Sequence, residues 1–466
     1  MNPSPIAPRA LWWLFAAAVA SSIPALWFYL VGEEGILVNA SLEMAQRGEW
    51  RRLWLFGMDA MHGVFANWLV IIVSNAVGWV HAPGVTRAIM TLCTGLSGLL
   101  AAALAWRLYR DAMLAALAAV ITVTFADVLM YRGWLGYRDP LLAMLVFGAI
   151  LCLWLALLSR RSGWLLGVLV FSSAGFLTKG LIAYAYVGAA ALVFLWQRDA
   201  RAQLLRPVPV LIAAATLSVP LLWAHGLTGD QHYNTRMGSE IGAKLALPGM
   251  GEYLTKLAVW PLETFARLLP VPLLLFWYRK RMAGPWLTDH HLRTALAILV
   301  LCALPFWVAP GSHIRYVMPV FPLLAVVLAA WVIRMDIARV TLRWLWALVA
   351  VKLVLAIAVF PAYQHQVRGE NYARAARDIA ARTQGTPLYT LDAASAGLSV
   401  TAYLNLMRWP QPAIRFALPP WTDGYVLSQV ADPALGKTVS THALAGDTLY
   451  LLCRGTACST DKRFEP

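Results

Sequence analysis

Charge is what this sequence most lacks. Asp, Glu, Lys and Arg make up 13% of its 466 residues, against about 25% in an ordinary soluble domain. Acids are the scarcer sign, 23 against 38 Lys and Arg, which leaves a formal net charge of +15. Cysteine is rare, with 5 in the whole chain, so a disulfide-stapled secreted scaffold is excluded. No His, Cys, Asp or Glu spacing has the form of a metal site. No internal repeat or low-complexity tract interrupts the chain. Together these absences exclude a soluble globular domain.

What is present is apolar surface, at 60% of residues. Apolar runs long enough to cross a hydrocarbon core of ~30 Å recur along most of the length. They fall at 10–31, 84–106, 111–129, 140–158, 164–178, 181–197, 207–225, 261–278, 292–309, 316–333 and 344–361. The first run is too long, and too poor in a small-residue cleavage site, for a signal peptide, and it reads as a retained helix. The segment 62–82 is also apolar enough to span, and charge decides how to read it. With 62–82 treated as re-entrant or interfacial, one face collects Arg107/Arg110, Arg160/Arg161, Arg198/Arg201/Arg206, Arg279/Lys280/Arg281 and Arg334/Arg339/Arg343. That is a coherent cytoplasmic set, since Lys and Arg mark cytoplasmic loops. The expected fold is a polytopic α-helical membrane protein of about eleven transmembrane helices, N-terminus inside and C-terminus outside. The positive charge then belongs to topology, and no nucleic-acid partner is called for.

Beyond Pro361 the composition turns polar. Runs such as Pro387-Leu-Tyr-Thr-Leu and Thr448-Leu-Tyr-Leu-Leu read as short strands, and Ala394–Met407 between them as a helix. Residues 363–466 are expected to form a small extramembrane α/β domain, and 1–362 the membrane domain with its first outer loop, 32–82. Cys93, Cys152 and Cys302 lie in apolar segments and read as packing residues. Cys453 and Cys458, in Cys-Arg-Gly-Thr-Ala-Cys, close a small disulfide loop if the tail lies outside the cytoplasm, and are two unrelated thiols otherwise.

The outer face should be poor in cations, yet Arg132, Arg138, Lys179, Arg236, Lys244 and Arg315 all fall there, alongside Glu33, Glu34, Asp59 and Asp139. Ionisable groups near membrane depth tend to face a cavity. Snorkelling explains any one of them, but explains poorly why both signs alternate at one level. Asp139 before Pro140 also fits an ordinary helix start. His313 and His232 read as polar loop residues. Cations at the outer interface suit a lipid-linked phosphosugar, because they offset charge on a departing phosphate. A carboxylate beside the incoming hydroxyl suits a general base.

At these residues the sequence resembles a known family. Glu33-Glu34 … Glu43-Met44 … Gly48-Glu49-Trp50 is similar, at the same spacing, to the Asp-Glu … Glu-Met … Gly-Asp-Trp first periplasmic loop of the GT-C glycosyltransferases. Bacterial aminoarabinose transferases and protein O-mannosyltransferases are the nearest in kind. His62 to Trp68 stands where that family has Lys- or His-Pro-Pro-Leu. Asp139-Pro140 resembles its second acidic motif, Phe176-Leu-Thr-Lys-Gly180 its Leu-Thr-Lys-Gly hairpin, and Arg315-Tyr-Val-Met-Pro-Val-Phe-Pro322 its Arg-Tyr-x-x-Pro-x-x-Pro segment. The departures are Glu for Asp at position 33, Gly63-Val64 for the Pro pair and Leu37 for a Tyr.

The resemblance implies a GT-C fold and inverting transfer of a sugar from a polyprenyl (undecaprenyl) phosphate donor, on the periplasmic side of a bacterial inner membrane. The acceptor would be lipid A, a cell-surface polysaccharide or a protein. It implies that Glu33 is the catalytic carboxylate, that Glu34 orients it and that Asp139 is the second acid. Arg236, Lys179, Arg315, His62 and Arg138 would hold the donor phosphate. No cofactor is required, and a divalent ion is left open. The competing readings are a transporter or flippase of a lipid-linked anion and a non-catalytic scaffold. Transporters usually place their ionisable residues at the midplane on broken helices, often in repeated halves, which is not the pattern here.

Overall fold

Backbone polar groups in lipid must be satisfied within the chain, and the apolar runs of this sequence do so as helices. The computed structural model describes residues 7–60, 63–223, 242, 246, 249–282, 284–287, 289–392, 395–417 and 421–460. Among these, six helices are long and apolar enough to cross a membrane: Pro8–Trp27, Trp79–Tyr109, Asp139–Ser159, His290–Val308, Ile314–Arg334 and Ala338–Val367. Two bent pairs, Arg198–Leu204 with Pro207–Leu222 and Met250–Arg267 with Val271–Trp277, bring the number to 8 if each is one crossing. Shorter apolar helices cover Phe65–Val77, Ala112–Thr124, Trp164–Lys179 and Ile182–Leu195. The chain is a multi-pass membrane protein.

Local sequence explains where these helices begin and break. Asp111 caps Ala112–Thr124 by accepting from the amides of Met113 and Leu114, and Asp289 caps His290–Val308 in the same way. Pro140 sits in the first turn of Asp139–Ser159, where a missing N–H does no harm. The run expected as one span at 261–278 instead starts at Met250 and turns by 96° before Val271, because Pro270 cannot donate to the preceding turn. Phe65–Val77, the apolar part of 62–82, is 13 residues long, about 20 Å at 1.5 Å per residue. That is short of the ~30 Å core.

The chain divides into two compact units. The first comprises Met1–Ile23, Met90–Trp134 and Arg138–Leu353. Its centre is Ala112–Thr124, buried from Leu114 onward and packed against Pro8–Ala20 and Phe321–Arg334. Phe125 meets Phe321 edge-on, ring centres 5.5 Å apart. Asp139–Ser159 is buried on nearly every side.

The second unit comprises Pro24–Ile89, Leu135–Tyr137 and Val354–Pro466. The sequence places the domain boundary at residue 362, whereas the contacts group the first loop with the C-terminal region. Strands β1 (Trp54–Leu55) and β2 (Met58–Asp59) form a hairpin. Strands β3 (Leu388–Thr390), β4 (Arg415–Phe416), β5 (Gly424–Ser428), β6 (Lys437–Leu444) and β7 (Asp447–Arg454) form one sheet in the order β4-β3-β5-β7-β6. β3 pairs in parallel with β4 and β5, and β7 is antiparallel to β5 and β6. Helices Tyr372–Arg382 and Ser395–Arg408 pack on it through Tyr372, Ile379, Val400 and Leu404. Helix Glu34–Arg47 joins this core by a polar ladder. Asn39 Nδ2 donates to the Leu398 carbonyl at 3.0 Å, and Asn405 Nδ2 to Asn39 Oδ1 at 2.9 Å. Cys453 and Cys458 are disulfide-bonded, tying the end of β7 to the short helix Ala457–Thr460.

Candidate active site

The adjacent acids Glu33 and Glu34 have opposite surroundings. Gly32 adopts φ 56°, a conformation that favours glycine. A Cβ there would also lie 2.6 Å from the Tyr137 hydroxyl. The chain then enters the helix Glu34–Arg47, with Glu33 exposed at its start and the Glu33 amide donating to the Tyr137 hydroxyl at 3.1 Å. Glu34 is fully buried. Its Oε1 accepts from Arg87 Nε at 2.9 Å and the Gly136 amide at 2.6 Å. Its Oε2 accepts from the Val31 amide at 2.7 Å and from Arg87 Nη2. Both oxygens face donors only, so Glu34 has no lone pair left for a substrate proton.

Arg87, within the Trp79–Tyr109 helix, is equally buried, and its guanidinium also donates to the carbonyls of Ala25, Phe28 and Tyr29 at 2.8, 2.7 and 2.8 Å. One ion pair thereby fixes the chain on both sides of Glu33. Gly136 is required at its place, because a Cβ there would lie 2.9 Å from Thr86 Oγ1 and 3.1 Å from Glu34 Oε1. Further along the helix, Glu43 is also engaged. It accepts from Arg47 Nε and Nη2 at 3.0 and 2.7 Å and from the Gly57 amide at 3.1 Å, which anchors the β1–β2 hairpin.

In the other unit, Asp139 opens the helix Asp139–Ser159 and its buried carboxylate is ion-paired with Lys179 Nζ. Lys179 Nζ also lies 4.9 Å from the centre of the Tyr316 ring, and the guanidinium of Arg315 lies 5.6 Å from the same ring. Tyr186 donates its hydroxyl to the Tyr316 carbonyl and stacks on Phe306 at 5.5 Å. Burial pushes Arg138 down to about 10, opposed by the neighbouring charge of Asp139, so Arg138 stays cationic at neutral pH. The structure therefore brings Asp139, Lys179, Arg138 and Arg315 into one neighbourhood, a carboxylate among three cations. Arg132 is occupied elsewhere. It pairs with Asp127 at 3.0 Å, and Arg267 reaches the same carboxylate at 2.6 Å.

His62 and Arg236, both expected at the donor phosphate, lie outside the described residues, as do Lys244 and His232. Arg87, Tyr137, Asp127 and Arg267 were not singled out in the sequence. Arg87 did carry a signal, as a charge inside an apolar run. Among the described residues no three His, Cys, Asp or Glu side chains are grouped to hold a metal ion.

Comparison with known proteins bears on this arrangement. Residues 61–223 match the family model described as dolichyl-phosphate-mannose-protein mannosyltransferase. The solved structure of ArnT from Cupriavidus metallidurans bound to undecaprenyl phosphate superposes with a TM-score of 0.71, covering 96% of this chain and 98% of that one at 16% identity. The chain therefore has the fold of that transferase structure. An undecaprenyl phosphate-alpha-4-amino-4-deoxy-L-arabinose arabinosyl transferase of Pseudomonas aeruginosa (strain LESB58) is 30% identical over 311 residues, 63% of this chain and 53% of the relative. The transferase of the same name from Pectobacterium carotovorum subsp. carotovorum (strain PC1) is 29% identical over 370 residues, 74% of this chain and 63% of the relative. The chain spans about half the length of the Pseudomonas relative.

Proposed function

We propose that this protein is an inverting glycosyltransferase that moves a sugar from a polyprenyl-phosphate donor to a cell-envelope acceptor. The observation that carries the proposal is the division of labour at positions 33 and 34. The second acid is spent holding the loop, and the first is left exposed at a helix start. The names of the relatives, which place undecaprenyl phosphate on an aminosugar donor, support the same chemistry.

In this scheme the acceptor hydroxyl attacks the anomeric carbon from the side opposite the phosphate. Glu33 takes the hydroxyl proton, a contribution of about 10²–10⁴-fold. The bond between the sugar carbon and the phosphate oxygen breaks, and the electron pair goes to the phosphate. Lys179, Arg315 and Arg138, with His62 and Arg236, are assigned to that anion, since guanidinium and ammonium groups offset the charge it gains. Asp139 is the second acid and orients Lys179.

The reaction is assigned to the periplasmic face of a bacterial inner membrane, with the N-terminus cytoplasmic. The cationic clusters at the opposite helix ends support this orientation, and so does the Cys453–Cys458 disulfide, which suits an oxidising compartment. Residues 363–466 are assigned as a periplasmic α/β domain that helps admit the acceptor. The test is transfer of labelled sugar from polyprenyl-phosphate donors by wild type and Glu33→Ala in liposomes with envelope acceptors. Transfer by wild type that is lost in the folded variant is expected. Equal transfer by both would overturn the assignment of Glu33.

A further inference from the structure

A cavity of about 400 Å³ opens within the second unit, between the helix Glu34–Arg47 and the turn that follows Ser395–Arg408. That volume lies within the ~300–1,000 Å³ of small-molecule sites. Its walls include Glu43, Gln46, Arg47, Trp409, Pro410 and Arg415. Most of the polar groups there are already committed. Glu43 is bonded to Arg47 and to the Gly57 amide. Gln46 donates to the Gln411 carbonyl at 2.6 Å and accepts from the Ala413 amide at 2.8 Å. Arg47 lies over the Trp54 ring at 4.2 Å.

Arg415 differs. Its stem rests on Gly57, within 3.3 Å of where a Cβ would stand. Arg415 is exposed, and its guanidinium makes no hydrogen bond or ion pair among the described residues. The next cation back along the chain, Arg408, gives its Nε to Gln411 at 3.2 Å, and its buried Nη1 has no hydrogen-bond partner among the described residues. Trp409 is stacked on Trp79 at 5.0 Å and is still 36% exposed. The lining therefore combines an indole surface, a carboxylate neutralised by its own arginine, and one uncommitted guanidinium.

An indole takes the apolar face of a sugar ring, and a guanidinium takes phosphate oxygens with two parallel bonds. We infer that this cavity binds a phosphorylated sugar of the acceptor, with Arg415 on the phosphate and Trp409 against the ring. That the sugar belongs to an acceptor rests on the glycosyltransferase reading. The chemistry of the cavity stands apart from it.

The test uses the full chain in nanodiscs, with polyprenyl phosphate at saturation so that the donor position is filled. Binding of glucose 1-phosphate, glucose and inorganic phosphate is measured by ligand-observed NMR on wild type, Arg415→Gln and Arg415→Lys. Melting of each variant is recorded first, and Arg415→Lys is the second arm if the Gln variant does not fold. Glucose 1-phosphate should bind about tenfold or more tighter than either fragment, and Arg415→Gln should lose that advantage, as expected for a charge-assisted hydrogen bond. Arg415→Lys should keep part of it. In transfer assays the Gln variant should raise the acceptor KM and leave kcat unchanged.

Equal affinity in wild type and the Arg415 variants, no binding by wild type, or equal binding of glucose would each overturn the inference. If transfer depends on Glu33 while binding ignores Arg415, the cavity inference fails and the enzyme reading stands. Arg415-dependent binding without any transfer would leave the sugar-phosphate cavity standing and overturn the enzyme reading.

Discussion

Replacing Arg87 with leucine tests how the first loop is held. Both partners of the Glu34–Arg87 pair have fully buried side chains. The variant leaves Glu34 with only the Val31 and Gly136 amides and takes the guanidinium donors away from the carbonyls of Ala25, Phe28 and Tyr29. Removing one member of a buried pair costs about 3–5 kcal/mol, because the other charge is left uncompensated. At about 2–4 °C per kcal/mol for a unit of this size, the melting temperature of the full chain in detergent should fall by roughly 6–20 °C. The double variant Arg87→Leu with Glu34→Leu removes both charges and should recover much of that loss, since replacing a buried pair by apolar groups is often neutral. Scanning calorimetry or intrinsic fluorescence at a fixed scan rate measures all four members of the cycle. Wild-type melting for Arg87→Leu, or a double variant worse than the two single losses added together, would refute the account of this pair.

Three other outcomes are expected. Asp139→Asn and Lys179→Met should each reduce transfer, and because the residues are in contact, a double-mutant cycle should show a coupling of about 0.5–3 kcal/mol. Burial lowers the pKa of His442 below its ordinary 6.5. The unfolded chain then binds the proton first, so stability should fall as pH drops below about 6.5 and hold above it, and His442→Gln should flatten that profile in melting curves. Cys453→Ser with Cys458→Ser opens a loop of sequence separation 5. It should lower stability by about 2 kcal/mol in the chain-entropy account, read as the same shift on adding reductant to wild type.

Much of this architecture was legible because membranes impose few solutions. Apolar runs, basic clusters at helix ends and the polar turn after residue 361 placed the helices and the sheet domain. The break before Val271 was not read, although Pro270 marked it. The acids and cations of the proposed site drew attention because charge is conspicuous in an apolar chain. Their pairings did not, because the contacts are long in sequence. Glu34 meets Arg87 across 53 positions and Gly136 across 102, while Asp139 meets Lys179 across 40. Adjacent in sequence and identical in type, Glu33 and Glu34 were told apart in the sequence by the resemblance alone, and their burial differs in the structure. Arg415 carried no signal at all, since an exposed arginine in a polar domain is ordinary until the cavity beside it is seen.

The most direct test of the central claim compares Glu33→Gln with Glu34→Gln, measuring melting and sugar transfer on the same preparations. Glu33 is exposed, so its variant should melt within about 0.5 kcal/mol of wild type and lose transfer by roughly 10²–10⁴-fold. Glu34→Gln turns an amide donor toward groups that themselves donate and should lose about 1–3 kcal/mol of stability. Full transfer by Glu33→Gln, or a Glu34→Gln protein as stable as wild type, would contradict the division of roles between the two acids.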